Sequence, residues 1–437
     1  MRRRPCRPGI AELNPEQSPS CLLVGVGLSG DAIDESKLDE LDLLAQSAGI
    51  EPAGRLVCRR SRPDAAYFVG SGKVDEIARW IEANPVDAVV FDNPLGPIQQ
   101  RNLNRRLDLP VVDRTELILD IFSRRAASRE GKLQVELAQL EHLSARLVRG
   151  WTHLERQRGG IGARGGPGEK QVELDRRMLG QRVKRLRAEL QKLRKQRANR
   201  RRARDRSGVF KISLVGYTNA GKSTLFNRLT GAGTMAADQL FATLDTLSRK
   251  HYIEGVGEVM LSDTVGFVRE LPHSLIEAFK ATLEETAQAD LLLHVIDASS
   301  PDRHEQVSQV ESVLAEIDAG DVPTLRVYNK ADRIEPPLQP ASVSPADMAE
   351  SAVKTNACDS MQPVFVSSLT GVGVAELTRR IATLIEQIRV PGGQQGFRHP
   401  VERDPRGIHL PENPETPDIS GDLLQDGSHD PAGSGSS

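Results

Sequence analysis

The sequence of 437 residues has few cysteines, and none of the four lies in a C-x-x-C pair. A structural zinc site or a disulfide framework needs closely spaced cysteines, so neither is expected. The sequence also has no apolar run near the roughly 18 residues that a membrane-spanning helix needs. An early apolar segment, Cys21–Val26, is too short and begins too late for a signal peptide. We therefore predict a cytoplasmic protein without a membrane span.

The formal net charge of −2 conceals a strong separation of charge along the chain. Between Arg176 and Arg206, fifteen lysines and arginines accompany only two acidic residues, Glu189 and Asp205. The segment 398–437 is instead rich in Asp, Glu, Pro, Gly and Ser. A block of basic charge is typical of a surface that binds a polyanion such as nucleic acid. The alternative is that the block is simply the solvated face of a long helix.

Short apolar runs alternate with helical patterns in the first part of the chain. Residues 1–20 contain several Pro and Arg without apolar periodicity, which predicts a disordered leader. The alternation that follows predicts a small α/β domain over residues 21–115. Its predicted elements are strands at 21–26, 55–58 and 88–91 and helices at 38–48 and 74–83.

Leucines at helical spacing dominate the next part. They recur from Leu133 to Leu147, and a similar apolar pattern runs from Met178 to Leu193. The segment between them, Arg156–Lys170, is rich in glycine and carries basic side chains, which predicts a flexible, non-helical tip. Residues 116–206 are therefore predicted to form a basic helical hairpin.

The α/β pattern returns over residues 207–390 and predicts a second domain with a parallel sheet. After it, the polar segment 391–437 has no candidate core and is predicted to be a disordered tail. The predicted elements of the second domain are strands at 211–215, 259–261, 291–296, 324–328 and 364–366 and a helix at 374–389.

Gly216-Tyr-Thr-Asn-Ala-Gly-Lys-Ser223 matches the phosphate-binding pattern G-x-x-x-x-G-K-[ST], directly after a predicted strand and before a helical pattern. Glycines let the backbone N–H groups point at phosphates, and the helix N-terminus adds a favourable dipole. Lys222 is expected to reach the β- and γ-phosphates and Ser223 to ligate magnesium. An ordinary glycine-rich turn is the alternative interpretation.

Three further motifs follow predicted strands in the order typical of a guanine-nucleotide site. Asp263-Thr-Val-Gly266 can hold magnesium through water and bring a backbone N–H to the γ-phosphate. Asn329-Lys-Ala-Asp332 is the N-K-x-D pattern, in which the Asp332 carboxylate accepts from N1–H and the exocyclic amine of guanine. Ser367-Ser-Leu369 is expected to close over the base. Adenine lacks that donor pair, so the motif predicts specificity for guanine.

Together these motifs resemble the HflX family of translation-associated GTPases, and the resemblance covers Leu22–Arg389. It implies an α/β fold with a Ras-like P-loop G domain, preceded by a small α/β domain and a helical hairpin. Further matching segments are Tyr67–Val74, Asp113–Phe122, Glu130–Leu137, Trp151–Leu154, Gly216–Asn227, Ala237–Asp245 and Asp263–Phe267.

The resemblance implies that Thr243 is the switch threonine, which binds magnesium and senses the γ-phosphate. The predicted catalytic residues are Lys222, Thr243 and Gly266, and the predicted metal ligands are Ser223 and Thr243, with Asp263 acting through water. The predicted GTP-binding residues are Gly216, Tyr217, Thr218, Asn219, Ala220, Gly221, Lys222, Ser223, Thr224, Phe241, Ala242, Thr243, Leu244, Asp245, Asp263, Thr264, Val265, Gly266, Asn329, Lys330, Ala331, Asp332, Ser367, Ser368 and Leu369.

The resemblance also implies ligands and partners. GTP and GDP are the expected ligands, Mg²⁺ is the expected cofactor, and K⁺ held by Asn219 is a second candidate. The alternative for Asn219 is that it only braces the loop. The expected partner is the large ribosomal subunit, through its RNA, with a role in ribosome splitting, rescue or biogenesis. The protein itself is expected to be a monomer.

Two other functions stay open at this point: an RNA-binding scaffold with nucleotide as a structural ligand, and an ATP-driven RNA remodeller. Gly70-Ser-Gly-Lys73 imitates a phosphate loop, but Tyr67 and Val74 stand where glycine and Ser/Thr are required.

Phe267 follows Gly266, where Ras-like switches carry the glutamine that positions the attacking water.

Overall fold

The structure, a computed structural model, describes residues 19–28, 35–157, 167–205, 208–231, 240–269, 275, 283, 285–334 and 362–389. The predictions for the leader before residue 19, for the hairpin tip at 158–166 and for the tail after residue 390 lie outside the described residues.

A parallel four-stranded sheet with the order β2-β1-β3-β4 forms the N-terminal α/β domain. The two central strands, β1 and β3, are the apolar runs of the sequence, and they are buried because helices cover both faces of a parallel sheet. The elements are β1 (Ser20–Leu28), α1 (Glu35–Ser47), β2 (Glu51–Arg60), α2 (Ser71–Ala83), β3 (Ala88–Phe91), α3 (Pro97–Leu107), β4 (Val111–Asp113) and α4 (Arg114–Arg125).

The sequence patterns missed α3, β4 and α4. Strand β4 has only three residues, too few to show a periodicity, and α3 is mostly polar with Leu103 and Leu107 as its buried side chains. Asp113 ends β4 and caps α4, because its carboxylate accepts a hydrogen bond from the Glu116 N–H at 2.9 Å. Helix α4 thereby extends the α/β packing as far as Arg125.

Two long helices follow, α5 (Arg129–Gln157) and α6 (Pro167–Asp205), and they bury Leu137, Leu186 and Leu190 between them. Ion pairs flank this seam, with Arg182 beside Glu136 at 2.6 Å. The prediction that all of 156–170 is non-helical was wrong, because residues 156–157 end α5 and residues 167–170 begin α6. Proline at the first position of a helix needs no N–H donor, so Pro167 starts α6 without loss of a hydrogen bond.

The second domain has a six-stranded sheet with the order β10-β9-β8-β5-β7-β6. Apolar clusters cover both faces of this sheet, which explains the apolar runs of its central strands. The elements are β5 (Phe210–Val215), α7 (Lys222–Thr230), β6 (Leu247–Ile253), β7 (Gly257–Asp263), β8 (Leu291–Asp297), α8 (Arg303–Glu316), β9 (Thr324–Asn329), β10 (Val364–Phe365) and α9 (Val374–Arg389).

The prediction of a purely parallel second sheet was wrong at β6, which pairs antiparallel with β7. Strand β6 lies at the sheet edge and exposes polar side chains such as Arg249 and Lys250, so it lacks the apolar run that marks the buried strands. The predicted fold class is otherwise confirmed: a small α/β domain, a helical hairpin and a Ras-like α/β domain.

Within the described part of the chain, every helix is too short or too polar to cross a membrane.

Candidate functional site

The loop Gly216–Gly221 joins β5 to α7 at the edge of the sheet where the parallel strands end. Ligands of open α/β sheets bind at this edge. Gly216 has a φ of +147°, and a Cβ there would lie 2.2 Å from the carbonyl oxygen of Val295. Only glycine fits such a position, so the strand can turn sharply into the loop. The N-terminus of α7 then faces the space above the loop, where it favours an anion.

Lys222 is almost fully buried at the start of α7, with 6% of its surface exposed. Its Nζ donates hydrogen bonds to the carbonyl oxygens of Gly216 at 3.0 Å and Tyr217 at 2.8 Å. Burial lowers the pKa of its ammonium group to about 8, against an opposing effect of the Asp263 carboxylate. The loop therefore holds the charged end of Lys222 over its own backbone, at the place where phosphates would lie.

Three oxygen-bearing side chains converge beside Lys222. Ser223 Oγ lies 2.8 Å from Thr243 Oγ1, and both hydroxyls donate to Asp263 Oδ2, at 2.7 and 2.9 Å. Burial raises the pKa of Asp263, and the hydrogen bonds from Ser223 and the charge of Lys222 oppose this shift. Asp263 Oδ1 is buried and has no hydrogen-bond partner among the described residues. Mg²⁺ prefers hard oxygen ligands. The two hydroxyls and the carboxylate supply such oxygens, and Asp263 Oδ1 is free to accept a further contact.

Asn329 connects three of the predicted motifs. Its Nδ2 donates to the Ala220 carbonyl oxygen at 2.8 Å, and its Oδ1 accepts from the Ser368 N–H at 2.9 Å and from Ser368 Oγ at 2.6 Å. The next residue, Lys330, pairs with Asp297 at 2.8 Å. Asn329 is buried, so these bonds fix the loop that carries Asp332 relative to the phosphate loop.

A cavity of about 300 Å³ lies between these loops. The predicted site residues that line it are Thr218, Asn219, Gly221, Lys222, Ser223, Thr224, Phe241, Ala242, Thr243, Thr264, Gly266, Asn329, Lys330, Asp332, Ser368 and Leu369. Arg333 also lines the cavity and was missed, because the N-K-x-D pattern ends one residue before it.

Other predicted residues lie behind this lining. Gly216, Tyr217, Ala220, Ala331 and Ser367 support the loops from below or beside them. Leu244 and Val265 are buried in an apolar cluster with side chains of the N-terminal domain. The Asp245 carboxylate accepts hydrogen bonds from the backbone just before α5.

Tyr217 ties the phosphate loop to the N-terminal domain. Its hydroxyl donates to Glu40 Oε1 at 2.7 Å and accepts from the Arg269 N–H at 2.6 Å. Arg114 pairs with Glu40 at 3.0 Å and with Asp92 at 2.8 Å, and it donates to the Arg269 carbonyl oxygen at 3.2 Å. Burial and the Glu40 carboxylate raise the pKa of Tyr217. The bonds of Tyr217 and Arg114 to residues of the other domain form only when both domains are in contact, so this buried polar cluster fixes their arrangement.

Phe267 occupies the position of the water-positioning glutamine, yet its side chain turns away from the cavity. Its backbone pairs with the phosphate loop, since its carbonyl oxygen accepts from the Thr218 N–H at 2.7 Å and its N–H donates to the Gly216 carbonyl oxygen at 3.2 Å. The ring is 2% exposed and packs in a cluster with Val215 and Leu292. The ring therefore has no access to a water molecule in the cavity.

A largely parallel sheet with a strand that continues through this loop into a helix defines the class of P-loop nucleotide-binding proteins. Three family models match the chain. They are described as GTP-binding GTPase N-terminal, over residues 35–123, GTP-binding GTPase Middle Region, over 125–204, and 50S ribosome-binding GTPase, over 211–330. A crystal structure of a GTP-binding protein from Sulfolobus solfataricus with GDP aligns at a TM-score of 0.46 and 23% identity, over 84% of this chain and 99% of that chain.

Curated relatives match most of the sequence. GTPase HflX from Escherichia coli (strain K12) is 50% identical over 364 residues, which cover 82% of this chain and 82% of that protein. GTPase HflX from Spirochaeta thermophila is 42% identical over 393 residues, which cover 88% of this chain and 92% of that protein. The chain belongs to the HflX family of GTPases. It is an enzyme that binds GTP and hydrolyses it to GDP and phosphate.

Proposed function

We propose that this GTPase acts on the large ribosomal subunit, in ribosome splitting, rescue or biogenesis, and that its nucleotide state controls the association. The observation that carries the proposal is the basic helix α6 beside a domain that matches the model of a 50S ribosome-binding GTPase. Arg177, Lys192 and Lys195 of α6 are exposed, whereas Val183, Leu186 and Leu190 of the same helix pack against α5. Such a helix binds phosphates of RNA without reading sequence.

The proposed nucleotide site is the cavity of about 300 Å³, with the triphosphate over the phosphate loop and guanine beside Asp332. Lys222 and the backbone N–H groups of the loop stabilise the negative charge that develops on the transferred phosphoryl group. The N–H of Gly266 approaches the γ-phosphate. Asp332 accepts from the two guanine donors, and Asn329 holds that loop in place.

Ser223 and Thr243 are the proposed direct ligands of Mg²⁺, with Asp263 acting through water. When bound there, Mg²⁺ would neutralise charge on the β- and γ-phosphate oxygens. Asp263 already accepts from both hydroxyls, so these residues hold the metal-binding arrangement through their own hydrogen bonds.

K⁺ at Asn219 is a second proposed cofactor. Asn219 lines the cavity and has a left-handed backbone with a φ of +60°. A carbonyl oxygen of its side chain can ligate a monovalent cation next to the phosphates, whereas a bracing role would leave hydrolysis equal in potassium and sodium buffers. The proposed working unit is a monomer, because one chain supplies the cavity lining and the basic helix. A ribosomal partner would place the protein in the cytoplasm.

Charge reversal on α6 tests the ribosomal partner. The triple variant Arg177→Glu, Lys192→Glu, Lys195→Glu is expected to weaken binding to large subunits and to flatten its salt dependence, because each lost phosphate contact removes roughly 0.7 to 0.9 from the log–log slope. Co-sedimentation over a series of salt concentrations measures this slope.

The matched control reverses the same number of exposed charges on the N-terminal domain, at Arg59, Arg62 and Arg79. GTP hydrolysis by the free protein should be the same in both triple variants and the wild type. An unchanged slope in the α6 variant would mean that the helix is only a solvated surface and would contradict the proposal.

A further inference from the structure

The switch segment around Thr243 is held by residues outside its own domain. The Leu240 N–H donates to Ser47 Oγ of α1 at 2.9 Å. The Phe241 ring meets the Phe122 ring of α4 edge-on, with centroids 4.6 Å apart and an interplanar angle of 88°. The N-terminal domain thus fixes the segment just before Thr243.

On the other side of Thr243, the Asp245 carboxylate binds the start of the hairpin helix α5. It accepts from the N–H groups of Ala127 at 3.1 Å and Ser128 at 2.7 Å, and also from the Ser128 hydroxyl. Ser128 Oγ in turn accepts from the Gly131 N–H at 2.9 Å and so caps α5. A carboxylate at this end of a helix is further stabilised by the helix dipole.

Gly131 leaves the room that this contact needs. A Cβ at position 131 would lie 2.5 Å from Asp245 Oδ1, well inside van der Waals contact. Any larger residue there must push the carboxylate away, although alanine is a better helix former than glycine.

The contacts at Phe241 and at Asp245 leave the backbone between them little conformational freedom. Two residues of extended chain span at most about 7 Å, so fixing Asp245 restricts where Thr243 can lie. Thr243 Oγ1 is in fact at hydrogen-bond distance from both Ser223 and Asp263. Its position therefore depends on contacts made by α1, α4 and α5.

We propose that Ser128 and Gly131, at the start of the hairpin, are positioning residues for Thr243 and act through Asp245. The proposal rests on the proposed role of Thr243 as a metal ligand that senses the γ-phosphate. The start of the hairpin then helps to order the switch segment, and the same hairpin carries the basic helix.

Gly131→Ala tests this, with Gly180→Ala on α6 as the matched control. Both replace a helical glycine, but a Cβ at Gly180 meets nothing within 4 Å. Loss of contacts comparable to one charge-assisted hydrogen bond predicts about tenfold weaker binding of a non-hydrolysable GTP analogue with Mg²⁺ in Gly131→Ala, while GDP binding stays within about twofold. Fluorescence of a labelled nucleotide measures both affinities, and phosphate release should slow in parallel. Gly180→Ala should match the wild type.

Two further variants separate the possible outcomes. Asp245→Ala should show the same selective loss, and the double variant Gly131→Ala, Asp245→Ala should be no worse than either single one, because both remove the same contact. Additive losses, or analogue binding by Gly131→Ala equal to that of Gly180→Ala, would overturn the positioning role. Thr243→Ala tests the proposed function itself: if that variant binds the analogue as the wild type does, Thr243 is not the metal ligand.

Discussion

Purified large ribosomal subunits are expected to accelerate GTP hydrolysis by this protein by up to about 10⁵-fold, the range reached by comparable switches with their activators. The physical reason is the missing water-positioning group. Phe267 stands where the glutamine is needed, and its ring is buried in an apolar cluster that joins the sheet to α8. A factor of about 10⁵ corresponds to a lowering of the activation barrier by roughly 7 kcal/mol. Ordering the switch at Thr243 and supplying the missing group would have to account for this lowering.

Phosphate release measured with and without large subunits, each in potassium and in sodium buffers, checks this expectation. Stimulation by large subunits in both buffers is the predicted result, and faster hydrolysis in potassium would support the cation at Asn219. Fast turnover by the free protein in sodium, unchanged by subunits, would contradict both ideas and require an intrinsic water-positioning residue.

Lys222→Ala should reduce the rate of hydrolysis by about 10³-fold or more, because the lysine ammonium group is expected to stabilise the negative charge that develops during phosphoryl transfer. The fold-reduction in the rate of hydrolysis should exceed the fold-reduction in GDP affinity, because the guanine contacts stay in place. Ser223→Ala should be similarly inactive through the loss of a metal ligand. Single-turnover phosphate release is the appropriate measurement.

Lys73→Ala is the matched control for Lys222→Ala. Lys73 belongs to the imitation loop at Gly70–Lys73, where it pairs with Glu76 at 2.8 Å on the surface of α2. That variant should hydrolyse GTP at the wild-type rate. Near-normal turnover in Lys222→Ala, or a large loss in Lys73→Ala, would mean that the wrong loop has been assigned to the phosphates.

The sequence was enough to predict that the residues lining the cavity lie close together, because each of their motifs has strict local spacing and directly follows an apolar strand. The spacing alone is enough to predict Lys222 as a phosphate-binding residue and Asn329 as part of the guanine-reading motif. The role of Thr243 as the switch threonine is predicted only through the family resemblance. Two of the missed elements lack such a local signal: β4 has three residues, and β6 is a polar edge strand.

Contacts between distant parts of the chain could not be read in this way. Tyr217 looks like an ordinary variable residue of the phosphate loop, yet it binds Glu40, which lies 177 residues away. Asp245 was grouped with the nucleotide ligands, whereas the structure places its carboxylate at Ser128, before α5. Both contacts depend on how the domains pack, and packing leaves no periodicity in the sequence.

The nucleotide preference of Asp332→Asn tests most directly whether this cavity is a guanine-nucleotide site. Phosphate release from GTP, ATP and XTP should be compared in wild type and variant, together with competition binding. The wild type is expected to prefer GTP over ATP by about 10⁴-fold or more, because adenine leaves buried polar groups unpaired. Asp332→Asn should weaken GTP and favour XTP, since the amide presents a donor where guanine N1–H needs an acceptor. An unchanged preference for GTP in the variant would contradict the guanine-reading role of Asp332.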